Sequence, residues 1–122
     1  MSTLNKFEDI LAWKKARRLV SDLYTISNTG LFRKDFSLKD QTHRCGVSIM
    51  ANIAEGFGRR SKKKFANFLN IAHGSAAELQ SHLYIALDLG YIEPESFNEL
   101  YLKCEEISKM ILGFQNYLRK NN

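Results

Sequence analysis

The sequence predicts an all-α protein, an antiparallel up-down-up-down four-helix bundle built as a single domain over residues 1–122. Apolar residues recur at spacings of three and four in four long segments, which is the pattern of amphipathic helices. The chain contains only one proline and seven glycines, too few for a turn-rich β architecture. The links between the segments are short, so consecutive helices must run in opposite directions.

The first two helices are predicted from their apolar patterns and from the residues that end them. The first covers residues 7–27, and Gly30 in the following link marks its stop. Ser37 is the predicted N-cap of the second helix, because its hydroxyl can accept a hydrogen bond from an early N–H group. The second helix should end where Gly56 and Gly58 interrupt the pattern.

The last two helices have clearer start signals. Ser61 is the predicted N-cap of the third helix, which continues to Leu89. The fourth helix opens at Pro94, since a proline in the first turn loses no hydrogen bond. Its apolar face reaches Leu118, and we expect residues 119–122 to fray.

The second helix is apolar around most of its circumference. One apolar strip faces the bundle, and a second strip beside it is our predicted oligomer interface: Val47, Met50, Ala51, Ala54 and Phe57. A peripheral helix of a monomeric bundle needs only one apolar strip, so the second strip favours cover by another copy of the chain. The alternative is a tight bundle that wraps this helix completely.

A narrow polar strip runs along the same helix. With one residue of the third helix it forms the predicted structural polar motif: Gln41, Arg44, Asn52, Glu55 and Glu78. Glu55 and Arg59 are one helical turn apart and can form an ion pair. If the strip is covered, its members must satisfy one another or a neighbouring subunit; binding of a ligand is the alternative.

The charge is unevenly distributed along the chain. Residues 1–64 carry a formal charge of +8 and residues 65–122 carry −3, within a total of +5. The predicted nucleic-acid-binding residues are the clustered cations Lys14, Lys15, Arg18, Arg59, Arg60, Lys62, Lys63 and Lys64. Such clusters favour contacts to phosphates, whereas few aromatic residues are interleaved for base stacking. The alternative is a solvated cationic patch without a partner.

The sequence contains no catalytic motif, and we therefore expect a protein that is not an enzyme and has no cofactor. Glu78 and His82 lie one turn apart and could hold a metal ion, but no further ligand follows at matching spacing, so no metal site is predicted. Cys45 and Cys104 are expected to be small buried residues, with a disulfide as the alternative. No apolar run is long enough for a membrane span and no signal peptide is evident, so a cytoplasmic location is expected.

Two stretches carry a resemblance to a known family. They are SIMANIAEGFGRRSKKKFANFL, at residues 48–69, and IAHGSAAELQSHL, at residues 71–83. In these motifs the chain resembles the bacterial four-helix bundle proteins encoded within intervening sequences of 23S ribosomal RNA genes, and the similarity extends over almost the whole chain.

The resemblance implies a ring-shaped homopentamer with a suspected role in nucleic-acid binding. A related branch comprises accessory proteins of diversity-generating retroelements, whose basic pentamers engage a reverse transcriptase. Two alternative functions are therefore considered. The first is a homo-oligomer that binds RNA or DNA through the phosphate backbone, most favourably RNA. The second is a scaffold that recruits a protein partner such as a reverse transcriptase.

Overall fold

The computed structural model describes residues 4–120 and confirms the predicted antiparallel four-helix bundle. The long helices are α1 (Leu11–Ser27), α2 (Phe36–Gly58), α3 (Lys62–Asp88) and α4 (Pro94–Lys120), and two short 3-10 turns cover Phe7–Asp9 and Phe32–Lys34. Two hydrogen bonds show that α3 and α4 are antiparallel: Gln115 donates to the carbonyl of Ala66 at 2.8 Å, and Gln80 donates to Glu105 at 3.0 Å. Ser48 of α2 bonds to Ser75 of α3 at 2.7 Å.

The first helix begins later than the sequence predicted. Residues Phe7–Asp9 form a separate 3-10 turn, and α1 starts only at Leu11. The Asp9 carboxylate accepts hydrogen bonds from the backbone N–H groups of Asn5 and Lys6, at 3.1 and 3.3 Å. This local bonding satisfies the chain ahead of α1 and holds it outside the helix.

The caps of the next two helices differ in how well they were predicted. Ser37 does not cap α2. The cap is Asp35, whose carboxylate accepts a hydrogen bond from the N–H of Leu38 at 3.0 Å, so the helix starts at Phe36. Ser61 does cap α3, as predicted, because its hydroxyl oxygen accepts from the N–H of Lys64 at 3.2 Å.

Helix α2 continues past Gly56 and ends at Gly58, so the predicted stop is right at Gly58 and wrong at Gly56. A Cβ atom on Gly56 would lie 2.7 Å from Cβ of Phe68 and 2.8 Å from Cδ1 of Phe65. Gly56 is therefore needed for the close packing of α2 on α3. The chain turns two residues later, at Arg60, which adopts a left-handed backbone conformation with φ of 58°.

The core is continuous and almost wholly apolar. Its largest fully buried side chains come from all four helices, and Cys45 and Cys104 are buried, unpaired thiols as expected. The last helix continues to Lys120, so the predicted fraying is wrong for residues 119–120, while residues 121–122 lie outside the described part. Between residues 4 and 120, no helix has both the length and the hydropathy needed to cross a bilayer.

Candidate nucleic-acid interface

The turn between α2 and α3 carries the densest group of cations in the sequence. Arg59 is the C-cap of α2, Arg60 makes the turn, and Lys62, Lys63 and Lys64 form the first turn of α3 after the Ser61 cap. The first turn of α3 contains no acidic residue. Because the N-terminal end of a helix carries a partial positive charge, three lysines there are electrostatically unfavourable for the isolated fold.

The cations of this turn differ in how far they are already neutralised. Arg59 forms an ion pair with Glu55 at 2.7 Å, as predicted, and its guanidinium lies 5.0 Å from the centre of the Phe68 ring. The side chains of Arg60, Lys63 and Lys64 are exposed and form no hydrogen bond or ion pair with the described residues 4–120. These three positive charges are therefore available to an anionic partner.

The cations of α1 form a second group on another face of the bundle. Lys14, Lys15 and Arg18 line a shallow groove between α1 and α4. Lys15 is paired with Glu106 of α4 at 3.2 Å, so part of this group's charge is used within the fold. Lys14 and Arg18 are exposed.

Positive and negative charges are separated more strongly along the bundle axis than along the sequence, because the helices are antiparallel. The half that contains the α2–α3 turn comprises residues 4–18, 47–75 and 107–120, and it carries thirteen Lys or Arg against three Asp or Glu, a formal charge of +10. The opposite half, residues 19–46 and 76–106, carries five against ten, a charge of −5. Both predicted cationic groups lie in the first of these, which we call the basic half.

Arg119 belongs to the same surface, although it was predicted to lie in a frayed tail. It lies in the last turn of α4 and lines a shallow depression together with Lys62 and Lys63 of α3. The sequence does contain a signal for this placement, because the last turn of the fourth helix is basic. In an antiparallel bundle that turn lies beside the start of the third helix.

The predicted polar motif is only partly brought together. Gln41, Arg44 and Glu78 line one groove between α2 and α3, which we call the polar groove. Arg44 pairs with Asp40 at 2.8 Å and does not pair with Glu78. The remaining two members lie further along α2 with partners of their own: Asn52 donates to Ser48, and Glu55 pairs with Arg59.

The second apolar strip of α2 is not fully covered within one chain. Val47 is 44% exposed and Ala51 is also exposed, whereas Met50, Ala54 and Phe57 are half-buried. Ile71, on the adjoining helix α3, is 51% exposed. Gly46 is crowded by Leu23 and Val20 of α1, whereas Gly74 on α3 has open space beside it within the chain.

The fold and the charge distribution together define a four-helix bundle protein with one strongly basic half. Residues 8–113 match the family model described as 23S rRNA-intervening sequence protein. Since this match spans most of the chain, the protein belongs to that family, as its sequence motifs indicated.

A solved structure supports the same assignment. The chain is similar to the crystal structure of a protein with unknown function from the S23 ribosomal protein family of Bacteroides thetaiotaomicron VPI-5482, with a TM-score of 0.80 and 26% sequence identity. The similarity covers 87% of this chain and 96% of that chain. No curated protein sequence matches this one. The relation to retroelement accessory proteins stays a prediction.

Proposed function

We propose that this protein is a non-enzymatic, cytoplasmic homo-oligomer that binds nucleic acid, RNA above all, through the phosphate backbone. The observation that carries the proposal is the gathering of thirteen Lys or Arg into one half of the bundle, with a formal charge of +10. A field of this size attracts a polyanion and makes its binding strongly dependent on salt.

The placement of Lys63 and Lys64 supports a role in binding rather than in folding. Both lie in the first turn of α3, where the helix dipole favours negative charge. A phosphate at this position would be attracted both by the two lysines and by the N-terminal end of the helix. The cost that the lysines impose on the free protein is thus offset once an anion is bound.

Backbone contacts fit the surface better than base stacking does. Phe57 and Phe65, the aromatic residues that flank the turn, pack edge to face with ring centres 6.0 Å apart. Phe57 is half-buried and Phe65 is buried, so neither offers a free ring face to a base. Phosphate contacts without base stacking give affinity and shape preference but little sequence preference.

Self-association is supported by the apolar surface left on α2 and α3. Val47 and Ile71 are each close to half exposed, and Gly74 leaves room for a close neighbour. A second copy of the same chain can cover this surface without a different partner protein. The family resemblance implies five copies, and a ring would present several basic halves to one nucleic acid, which raises the overall affinity.

A binding titration tests the proposal. Fluorescence anisotropy of a labelled RNA hairpin and of a DNA duplex of equal length should show saturable binding that weakens as salt rises, with the hairpin bound at least as tightly. Binding that is absent at low salt contradicts the proposal. If a specific protein remains attached to the purified chain after nuclease treatment and no RNA binding is seen, the scaffold function is favoured instead.

A further inference from the structure

A cluster of metal-ligand side chains lies beside the polar groove, between α2 and α3. Cys45 projects from α2, and Glu78 and His82 lie one turn apart on α3. One ligand atom from each residue, the thiol sulfur, a carboxylate oxygen and a ring nitrogen, can be chosen so that all three lie within 4.8 Å of one another. The pair on α3 is evident from its spacing in the sequence, whereas Cys45 is more than thirty residues away in the chain.

The imidazole of His82 has no hydrogen-bond partner in the described part of the chain. Both ring nitrogens are shielded from solvent, and neither forms a hydrogen bond within residues 4–120. Nε2 lies 3.7 Å from Oε2 of Glu78, which is too far for a hydrogen bond. Buried polar atoms nearly always have a hydrogen-bond partner, so an imidazole without one indicates that a partner is missing.

Cys45 and Glu78 lie beside each other in this cluster. The Cys45 thiol is buried, whereas the Glu78 carboxylate is exposed at the edge of the groove. The cation that lines the same groove, Arg44, is already paired with Asp40 at 2.8 Å. A cation bound here would be attracted by the carboxylate and would stabilise the thiolate form of Cys45.

We propose that Cys45, Glu78 and His82 form a binding site for one Zn²⁺ ion. A thiolate, an imidazole and a carboxylate are the three ligand types that Zn²⁺ takes in proteins, and their mixture excludes Mg²⁺ and Ca²⁺, which prefer oxygen ligands alone. On binding, the thiol of Cys45 loses its proton to solvent and its sulfur bonds to the metal. The site is independent of the basic half and of nucleic-acid binding.

The geometry needs only a small adjustment to close around the ion. Any two ligand atoms of a tetrahedral Zn²⁺ site lie about 3.5 Å apart, given bond lengths of roughly 2.0 to 2.3 Å. The present spread of up to 4.8 Å is wider than this, so the ligand atoms must move closer together when the ion binds, and the exposed side chain of Glu78 has room to move. The groove, which also contains Ser48 and Ser75, leaves room for a water molecule as the fourth ligand.

Titration of the untagged, reduced full-length protein with Co²⁺ tests the site, since Co²⁺ occupies Zn²⁺ sites and absorbs visible light. We expect one Co²⁺ per chain, with a thiolate-to-metal charge-transfer band that disappears when Zn²⁺ is added. Cys45→Ala should abolish the band, and His82→Ala should weaken Co²⁺ binding at least about tenfold, as expected for loss of a ligand.

Matched controls separate this site from adventitious binding. Cys104→Ala removes the other buried thiol, which lies on α4, and His73→Ala removes another histidine of α3; both should bind Co²⁺ as the unaltered protein does. Should Cys45→Ala fail to fold by circular dichroism, the comparison of His82→Ala with His73→Ala decides. The proposal is overturned by the absence of saturable binding, by a spectrum without the charge-transfer band, or by equal affinities in the His82 and His73 variants. A site that fails these tests leaves the nucleic-acid proposal untouched.

Discussion

Replacing Lys63 and Lys64 with glutamate is expected to strengthen the fold and weaken nucleic-acid binding at the same time. Both lysines lie in the first turn of α3, and both side chains are exposed and unpaired within residues 4–120. Lys64 is the third residue after the Ser61 cap. Glutamate at that position can reach back to the N–H group of Ser61 and complete a capping box.

The size of the stabilisation follows from the helix dipole. One favourable charge in the first turn contributes about 0.3 to 1 kcal/mol, and the substitutions remove two unfavourable charges while adding two favourable ones. Four such changes should together raise the free energy of unfolding by roughly 1 to 4 kcal/mol. For a domain of this length the midpoint of thermal unfolding, Tm, should rise by about 3 to 6 °C for each kcal/mol.

The same change should impair binding. If each lysine contacts one phosphate, the slope of log affinity against log salt becomes less steep by about 2, and affinity at moderate salt falls at least about tenfold. The control is Arg33→Glu with Lys34→Glu, an equal change in net charge on exposed residues of the opposite half.

Thermal unfolding followed by circular dichroism and anisotropy titration of an RNA hairpin measure the two effects on the same samples. The control variant should retain the affinity of the unaltered protein. The reasoning is refuted if the Lys63/Lys64 variant binds RNA as tightly as the control, or if its Tm falls.

Further outcomes are expected elsewhere in the bundle. Gly56→Ala should destabilise the protein by about 1 to 3 kcal/mol in urea unfolding, because its Cβ would meet Phe68 at 2.7 Å, whereas Gly58→Ala, with nothing within 4 Å, should not destabilise it. Burial raises the pKa of the Cys104 thiol to about 12, so the folded protein holds this proton where the unfolded chain has lost it. Stability should therefore fall as pH rises from about 9 towards 12, and Cys104→Ala should show a smaller loss of urea midpoint between about pH 8 and pH 10 than the unaltered protein; an equal loss would contradict the assignment. Val47→Glu should shift the sedimentation coefficient from oligomer towards monomer while helix content is retained, since this side chain is 44% exposed on one chain; an unchanged oligomer would place the interface elsewhere.

Sequence periodicity was sufficient to predict the fold, because each helix buries one stripe of apolar residues at helical spacing. The Ser61 cap was also readable, since a serine directly precedes the third apolar pattern. The cap at Asp35 was missed because Ser37 offers the same chemistry two residues later. In the fold Asp35 also accepts a hydrogen bond from the Tyr91 hydroxyl at 2.9 Å, a contact between distant parts of the chain. Gly56 was predicted to be a helix stop. Its real role is to let Phe68 of α3 approach α2 closely, and the pattern of one helix does not reveal a contact between two helices.

The candidate sites were less accessible to sequence reasoning for the same reason. The cations at the α2–α3 turn are adjacent in the chain and were found, whereas Arg119 reaches them only through the antiparallel return of α4. In the same way, Cys45 meets Glu78 and His82 only when α2 packs on α3. Properties of one helix face can be predicted from periodicity; a site shared by two helices requires the register between them.

The most direct test of nucleic-acid binding by the basic half is the dependence of RNA-hairpin affinity on salt. If the four exposed cations Arg60, Lys63, Lys64 and Arg119 each neutralise one phosphate, the slope of log affinity against log salt is about −3.6 per chain on a duplex scale. Affinity should then fall about a hundredfold as salt rises fourfold. A slope near zero, with RNA still bound, would contradict the account.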